Sequence, residues 1–406
     1  LMQLLPPDIA GSSANAVQWK IPAVQITDYP RFGWRGLMLD VSRHFFSKEQ
    51  VKRYIDDMAK YKFNVFHWHL TDDNGWRIEI KGLPQLTAVG AWRVPRTGKM
   101  AKFLPAQPGE KATYGGFYTQ EDIKEVIAYA KERFVTIVPE VDVPGHSLAL
   151  IAAYAGLSCS QKQFNIDPGS GFYKKDNNVL CVANDSTWLI LDKIFTQIAA
   201  LFPGEYIHVG GDEVYDGFWK SCSKDLALMQ KEGIANTKEW QGYFERKLQK
   251  IIAKTGKKMI GWDEVLIGSQ PADAAMMSFH GMAGGTKAAK SGHYVVMTPY
   301  AHTYLDMYQG DPLLEPATYG MVRLESCYAF EPVEEGVDPR FILGGEGCLW
   351  SEAVCNERQA QYMTWPRGIA LSETLWSPKA KRNWPDFVVR MQTRLKYMDE
   401  ARIKYS

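Results

Sequence analysis

The 406-residue chain has no excess of either charge. Its 47 Lys and Arg stand against 46 Asp and Glu, for a formal net charge of +1. The basic face or tail of a nucleic-acid or membrane-surface binder is therefore not expected. The longest apolar runs are about a strand long, far short of the ~20 residues that span a bilayer. Six cysteines are too few in this length for a disulfide scaffold. No Cys-x2-Cys pair gives a zinc-like spacing. Cys159 and Cys181 bracket a polar, Gly-rich loop that a disulfide can close, and Cys348 and Cys355 can form a second. The alternative is free thiols buried as small apolar side chains. No signal peptide, internal repeat or low-complexity tract stands out. The chain opens Leu1-Met2-Gln3-Leu4-Leu5-Pro6-Pro7, which reads as the tail of a removed leader or upstream domain. Residues 1–20 are thus expected to be a remnant or linker, and residues 21–406 the principal domain.

What is present is an alternation of short β-rich runs with amphipathic helical stretches, the pattern of a parallel sheet with helical crossovers. Eight strands are predicted, over 36–41, 65–69, 136–141, 206–210, 258–262, 275–279, 294–298 and 342–349. Ser47-x-x-Gln50 is a capping box that opens a helix with Val51, Tyr54, Ile55 and Met58 on one face. Thr119 caps a second, with Ile123, Val126, Ile127 and Ala130 inward. Asp185 is expected to cap a third with Leu189, Ile194 and Ile198, and Asn236-x-x-Glu239 opens a fourth with Tyr243, Phe244 and Ile251. Eight such units suggest a closed (β/α)8 TIM barrel, irregular in its later units. A doubly wound open sheet is the alternative, but no Gly-x-Gly-x-x-Gly follows the first strand. Residues 74–116 and 303–340 are long connections, expected to build an active-site rim. A last helix, from 384 to about 396, should pack outside the barrel.

Barrel sites lie at the C-terminal ends of the strands. Strand 1 runs from Arg35 to Asp40. Strand 2 ends His67-Trp68-His69-Leu70-Thr71-Asp72-Asp73, and strand 3 Glu140-Val141-Asp142-Val143-Pro144-Gly145-His146. Strand 4 ends His208-Val209-Gly210-Gly211-Asp212-Glu213, strand 5 Trp262-Asp263-Glu264 and strand 6 Phe279-His280-Gly281. Tyr304-Leu305-Asp306 follows strand 7, and strand 8 ends Trp350-Ser351-Glu352. Carboxylates, imidazoles and indoles thus converge on one end; most of the chain's 13 Trp are expected in the core, but several stand here with flat faces suited to sugar C–H surfaces. Sugar cleavage needs an acid for the leaving oxygen and a group that stabilises an oxocarbenium-like centre. Adjacent Asp212 and Glu213 are badly placed to flank a bond from opposite sides, as the two carboxylates of most retaining enzymes do. Two competing readings are a metal-dependent hydrolase using His67 and His69, and a non-catalytic glycan-binding barrel. The first lacks a carboxylate at the end of strand 8, where Trp350 stands. The second would be expected to lose the acid.

The pattern resembles the β-N-acetylhexosaminidases of glycoside hydrolase family 20, from about residue 21 to 377. The residues that carry the likeness are His208–Glu213, Arg35–Asp40, His67–Arg77 and Pro139–His146. The resemblance implies a retaining exo-enzyme that hydrolyses terminal GlcNAc or GalNAc from glycans through an oxazolinium intermediate, without metal or other cofactor. It implies Glu213 as general acid and Asp212 as the partner of the acetamido N–H. Tyr304 would donate to the acetamido carbonyl, and His146, Asp142 and Asp72 would form a relay near Glu213. It further implies Arg35 on O3 and O4, Glu352 and Asp306 on O4 or O6, and Trp262 and Trp350 as pocket walls. Phe279 departs from the family's usual Trp and makes a smaller wall under the acetamido methyl. The family's small N-terminal α+β domain is expected to be absent. The partners implied are glycans, not nucleic acid or membrane, in an extracytoplasmic setting (secreted, periplasmic or lysosomal). Asn184-Asp185-Ser186 is a formal glycosylation sequon.

Overall fold

The computed structural model describes residues 21, 23–96, 104–168, 178–268, 273–315 and 318–406; the expected remnant over 1–20 lies outside them. Eight parallel strands close into a barrel: β1 (Trp34–Asp40), β2 (Val65–His69), β3 (Thr136–Glu140), β4 (Tyr206–His208), β5 (Lys258–Trp262), β6 (Ala275–Ser278), β7 (Val295–Met297) and β8 (Ile342–Leu349). Each pairs with its neighbours in sequence, and β1 meets β8 in register from Trp34↔Gly344 to Leu39↔Leu349. All eight predicted strands are present, with ends displaced by at most two residues. The strands are buried on both faces, toward the barrel interior and toward the helical layer.

The helices that cover the barrel are α1 (Lys48–Lys60), α2 (Gln120–Lys131), α3 (Asp185–Leu201), α4 (Ser223–Lys231), α5 (Thr237–Lys254), α6 (Met282–Lys290), α7 (Arg367–Trp376) and α8 (Trp384–Glu400). The two capping boxes form as expected, Ser47 with Gln50 and Thr119 with Asp122. In α3 the cap is Asn184 rather than Asp185: its side chain accepts the Ser186 N–H, and Asp185 is already helical. Leu189 is 72% exposed, and the buried stripe is Leu191, Ile194, Phe195 and Ile198 instead. The sequon asparagine also donates to the Gly156 carbonyl. Asn236 caps α5 through the Glu239 N–H. Helix α8 buries Phe387, Met391 and Met398.

The later units are irregular. Among the described residues, the helical structure that follows β5 is the 3-10 turn Asp263–Leu266. Between β7 and β8 the longest helix among the described residues is the short Leu324–Ala329, which packs on α7. All six cysteines are free thiols, so neither Cys159–Cys181 nor Cys348–Cys355 is joined. Cys348 is buried inside β8, whereas Cys355 lies exposed beyond the strand.

The barrel interior is polar where an ordinary barrel is filled by branched apolar side chains. Glu346 of β8 accepts from the Trp34 indole at 2.9 Å and lies 2.7 Å from His67 Nδ1. His67 Nε2 lies 2.9 Å from Glu140, which also meets His69 Nδ1 at 2.5 Å and accepts from the Trp262 indole at 2.9 Å. Gly36 makes room for this, since a Cβ there would stand 2.2 Å from Glu346 Oε2. Burial works against charge on His67 and His69, but the carboxylates around them outweigh it and raise the two to about 9 and about 10. The interior therefore holds charge-paired imidazolium and carboxylate groups, the condition under which buried ions are tolerated.

Candidate active site

The turn after β4 sets the site. Gly210 and Gly211 adopt φ of +71° and +89°. A Cβ on Gly210 would stand 1.8 Å from Asp142 Oδ1, so only glycine lets the two segments touch. The Gly211 N–H donates to Asp142 at 3.3 Å, and Gln241 of α5 donates to the Gly211 carbonyl at 2.6 Å. Held from both sides, the chain turns out of the sheet and delivers Asp212 and Glu213 to one pocket. Glu213 and His146 have φ of +51° and +46°, a conformation that costs a non-glycine residue free energy and is found where function requires it.

His146 stands between the carboxylates. Its Nε2 lies 3.4 Å from Glu213 Oε2 and 3.7 Å from Asp212 Oδ2, while Nδ1 lies 3.1 Å from Asp72 Oδ1. Asp72 is also 3.0 Å from His69 Nε2 and 2.8 Å from Arg43. Burial opposes charge on His146, but Asp72 and then Glu213 outweigh it and hold the imidazole well above its ordinary value. Asp72 itself is held well below the carboxylate range by Arg43 and His146, against its burial. Asp212 is different. Burial, with a further push from Glu213, carries its carboxyl up to about 7 despite the pull of His146. Asp142, buried beneath Asp212, is pushed well above the usual range by burial and by that neighbour.

The pocket has a volume of about 420 Å³, within the roughly 300–1,000 Å³ range of small-ligand sites. Asp72, His146, Asp212, Glu213, Phe279, Tyr304, Trp350 and Glu352 of the expected set line it. Phe279 lies parallel to Tyr304 with centroids 6.4 Å apart. Trp262 is wholly buried one layer below, edge-on to Phe279 at 5.7 Å and tilted against Trp350 at 5.6 Å. It supports the walls rather than forming one. Asp306 sits behind Tyr319, and burial together with Glu352 raises it to about 8.

Arg35 is a correction. It lies at the start of β1, so in a parallel barrel it belongs to the opposite end from the pocket. Its guanidinium donates to the carbonyls of Lys62 at 2.8 Å and Phe32 at 2.7 Å and lies over Trp376. The arginine that lines the pocket is Arg43, just past the C-terminal end of the same strand. It contacts Asp72, Asp40 at 3.3 Å, Asn74 at 3.2 Å and, at 4.0 Å, Glu352, with its guanidinium over the Trp350 ring. It stands three residues past Asp40, at the strand end where barrel sites lie. His280 and its partner Glu264, 2.9 Å apart, were legible in the same way. Tyr319 and Met321 come from the irregular loop before β8, which no periodicity places. His67 and His69 do not line the pocket; both are fully buried beneath it. A catalytic metal keeps an open ligand position, and neither imidazole offers one to the pocket.

A carboxylate pair, a charged imidazole and apolar walls above a barrel suit the breaking of a glycosidic bond, and place this site with those of the glycoside hydrolases. The chain belongs to glycosyl hydrolase family 20: the family's catalytic-domain pattern matches residues 32–379. The β-hexosaminidase of Porphyromonas gingivalis is 40% identical over 410 residues, covering 100% of this chain and 51% of that protein. The β-hexosaminidase of Vibrio furnissii is 42% identical over 379 residues, covering 92% and 60%. Among solved structures, the exo-β-N-acetylglucosaminidase of Vibrio harveyi in complex with N-acetylglucosamine superposes with a TM-score of 0.85 at 38% identity, covering 100% of this chain and 63% of that one. The chain thus spans between half and two thirds of the length of these relatives.

Proposed function

We propose that this barrel is the catalytic unit of a retaining exo-β-N-acetylhexosaminidase, which removes a terminal non-reducing GlcNAc or GalNAc from glycans with the substrate's acetamido oxygen as nucleophile. The observation that carries the reading is the approach of both Asp212 and Glu213 to one nitrogen, His146 Nε2. The two carboxylates share a wall of the pocket. An enzyme nucleophile would instead face the acid across the bond.

Glu213 protonates the leaving oxygen and then, as base, activates water. The His146 imidazolium, kept charged by Asp72, lies beside Glu213 and stabilises the carboxylate left after proton transfer. Asp212 accepts from the acetamido N–H, turns the carbonyl oxygen toward C1, and opposes the charge that develops on the oxazolinium. The Tyr304 hydroxyl donates to that carbonyl, with its proton secured because burial raises Tyr304 well above its ordinary value. Trp350 and Phe279 enclose the acetamido group. The sugar-hydroxyl contacts expected of Arg35 fall to Arg43, which shares the pocket with Glu352. An extracytoplasmic setting goes with such a substrate.

Aryl β-glycosides of GlcNAc and GalNAc, with NMR of the product's anomeric centre during the first turnovers, provide the test. The β-anomer should appear first. An α-anomer would exclude two displacements at C1 and with them this mechanism.

A further inference from the structure

Away from the pocket, three thiols and a carboxylate converge from separate loops. Cys159 follows the 3-10 turn Ala155–Leu157, Cys181 precedes α3, Cys222 is the N-cap of α4, and Asp225 lies in the first turn of α4. Their ligand atoms all lie within 4.8 Å of one another. Asp225 Oδ2 is 3.0 Å from Cys159 Sγ and 3.5 Å from Cys181 Sγ, and Cys181 Sγ is 4.0 Å from Cys222 Sγ. A tetrahedral zinc ion with Zn–S near 2.3 Å and Zn–O near 2.0 Å requires S···S of about 3.8 Å and S···O of about 3.5 Å. Two of these separations match within a few tenths of an ångström, and the third is half an ångström short. A disulfide requires about 2.0 Å between sulfurs, would use two of the thiols and would strand the third.

Asp225 gives the second argument. Its side chain is fully buried, yet among the described residues no Lys, Arg or His forms an ion pair with it. A buried carboxylate without a countercharge is costly, and three thiols are poor compensation. Its other oxygen accepts the Ala183 N–H at 2.8 Å, the kind of outer hydrogen bond that orients a metal-bound carboxylate. Cys222-x2-Asp225 keeps the two-residue spacing of a Cys-x2-Cys half-site, with the carboxylate in the place of the second thiolate. The lack of Cys-x2-Cys in the sequence hid the site, because the other two ligands come from a different loop.

We propose that Cys159, Cys181, Cys222 and Asp225 form a structural site for zinc or a similar thiophilic divalent cation. The ion replaces the thiol protons, which are released to solvent as thiolates form. Its ligands come from the β3–α3 and β4–α5 connections, the same two that carry His146 and the Asp212–Glu213 pair. The site therefore acts as a clasp that holds the acid and its imidazole in register, with no part in the chemistry.

The test uses the full chain purified under reducing conditions without chelator. Elemental analysis should find about one thiophilic metal per chain. Cobalt(II) added to metal-stripped protein should give the intense visible bands of a tetrahedral site and a thiolate charge-transfer band. Cys222→Ser should shift those bands, Asp225→Asn should weaken cobalt retention, and Cys355→Ser, remote from the cluster, should change neither. Because a variant can fail to fold, cobalt titration of the unmodified chain is the deciding arm. A reduced, folded chain that binds no cobalt with thiolate character overturns the proposal. So does peptide mapping that finds two of the three cysteines disulfide-linked in the native protein.

Discussion

Asp212→Asn tests the electrostatic part of the mechanism, because its effect should depend on pH in a way the structure fixes. Asparagine keeps the shape and removes the charge. At roughly 4 Å from the oxazolinium, with an effective dielectric near 20, a full charge is worth about 4 kcal/mol, or about 10³-fold in rate. The wild-type carboxyl titrates at about 7 in the free protein. It is anionic above that pH and neutral below it, so activity that needs the anion is lost as pH falls. At pH 5 about one molecule in a hundred carries the charge, and wild-type kcat/KM should have dropped about 100-fold. The gap between wild type and Asp212→Asn should therefore shrink from about 10³-fold at pH 8 to about tenfold at pH 5. The assay is kcat/KM on an aryl N-acetylglucosaminide from pH 5 to 8. A ratio constant across that range would refute the assigned role of Asp212. Stability should move in the opposite sense. The folded-state value lies above the ordinary 3.8, so ionising Asp212 destabilises the fold as pH rises through 7. The variant should gain in unfolding midpoint at pH 8 and not at pH 4.

Glu213→Gln should cost about 10²–10⁴-fold on substrates with poor leaving groups and much less on activated aryl glycosides; equal losses on both would remove Glu213 as the acid. Arg43→Ala should lower kcat/KM by at least about tenfold through lost sugar contacts and the loosening of Asp72, whereas Arg35→Ala should leave KM unchanged; the reverse pattern in steady-state kinetics would restore the sequence-based assignment. Gly36→Ala forces a Cβ to within 2.2 Å of Glu346 in the barrel floor and should destabilise the protein by about 1–3 kcal/mol, read by denaturant titration. An unchanged midpoint would mean that the buried Glu346–His67 network is not rigid.

Much of this architecture was legible in the sequence because it rests on local rules. Capping boxes fix helix starts within a residue, and short β-rich runs between amphipathic stretches mark the strands. The placing of Asp212 and Glu213 followed from a strand ending in two glycines. Errors arose where one residue's offset decides a side chain's fate. Asn184 and Asp185 are equally good caps by type, and which one leads the helix turns on the loop before it. Leu189 fits an apolar list but falls on the solvent side of α3. Arg35 and Arg43 flank the same strand, and only its direction tells which end each serves. Trp262 and Asp306 stand at the correct strand ends but one layer down, a depth set by the packing of Phe279, Trp350 and Tyr319. The cysteine cluster was out of reach for a further reason: its ligands come from three stretches of chain that only the folded loops bring together.

The central claim is that the acetamido oxygen, and no protein carboxylate, attacks C1. It is tested most directly by kcat for a series of aryl glycosides whose N-acetyl group carries zero, one, two or three fluorines. Each fluorine withdraws electrons from the carbonyl oxygen and barely changes its size. The account predicts a steep, monotonic fall in kcat along the series. A flat series would mean that a residue of the protein is the nucleophile, and would contradict it.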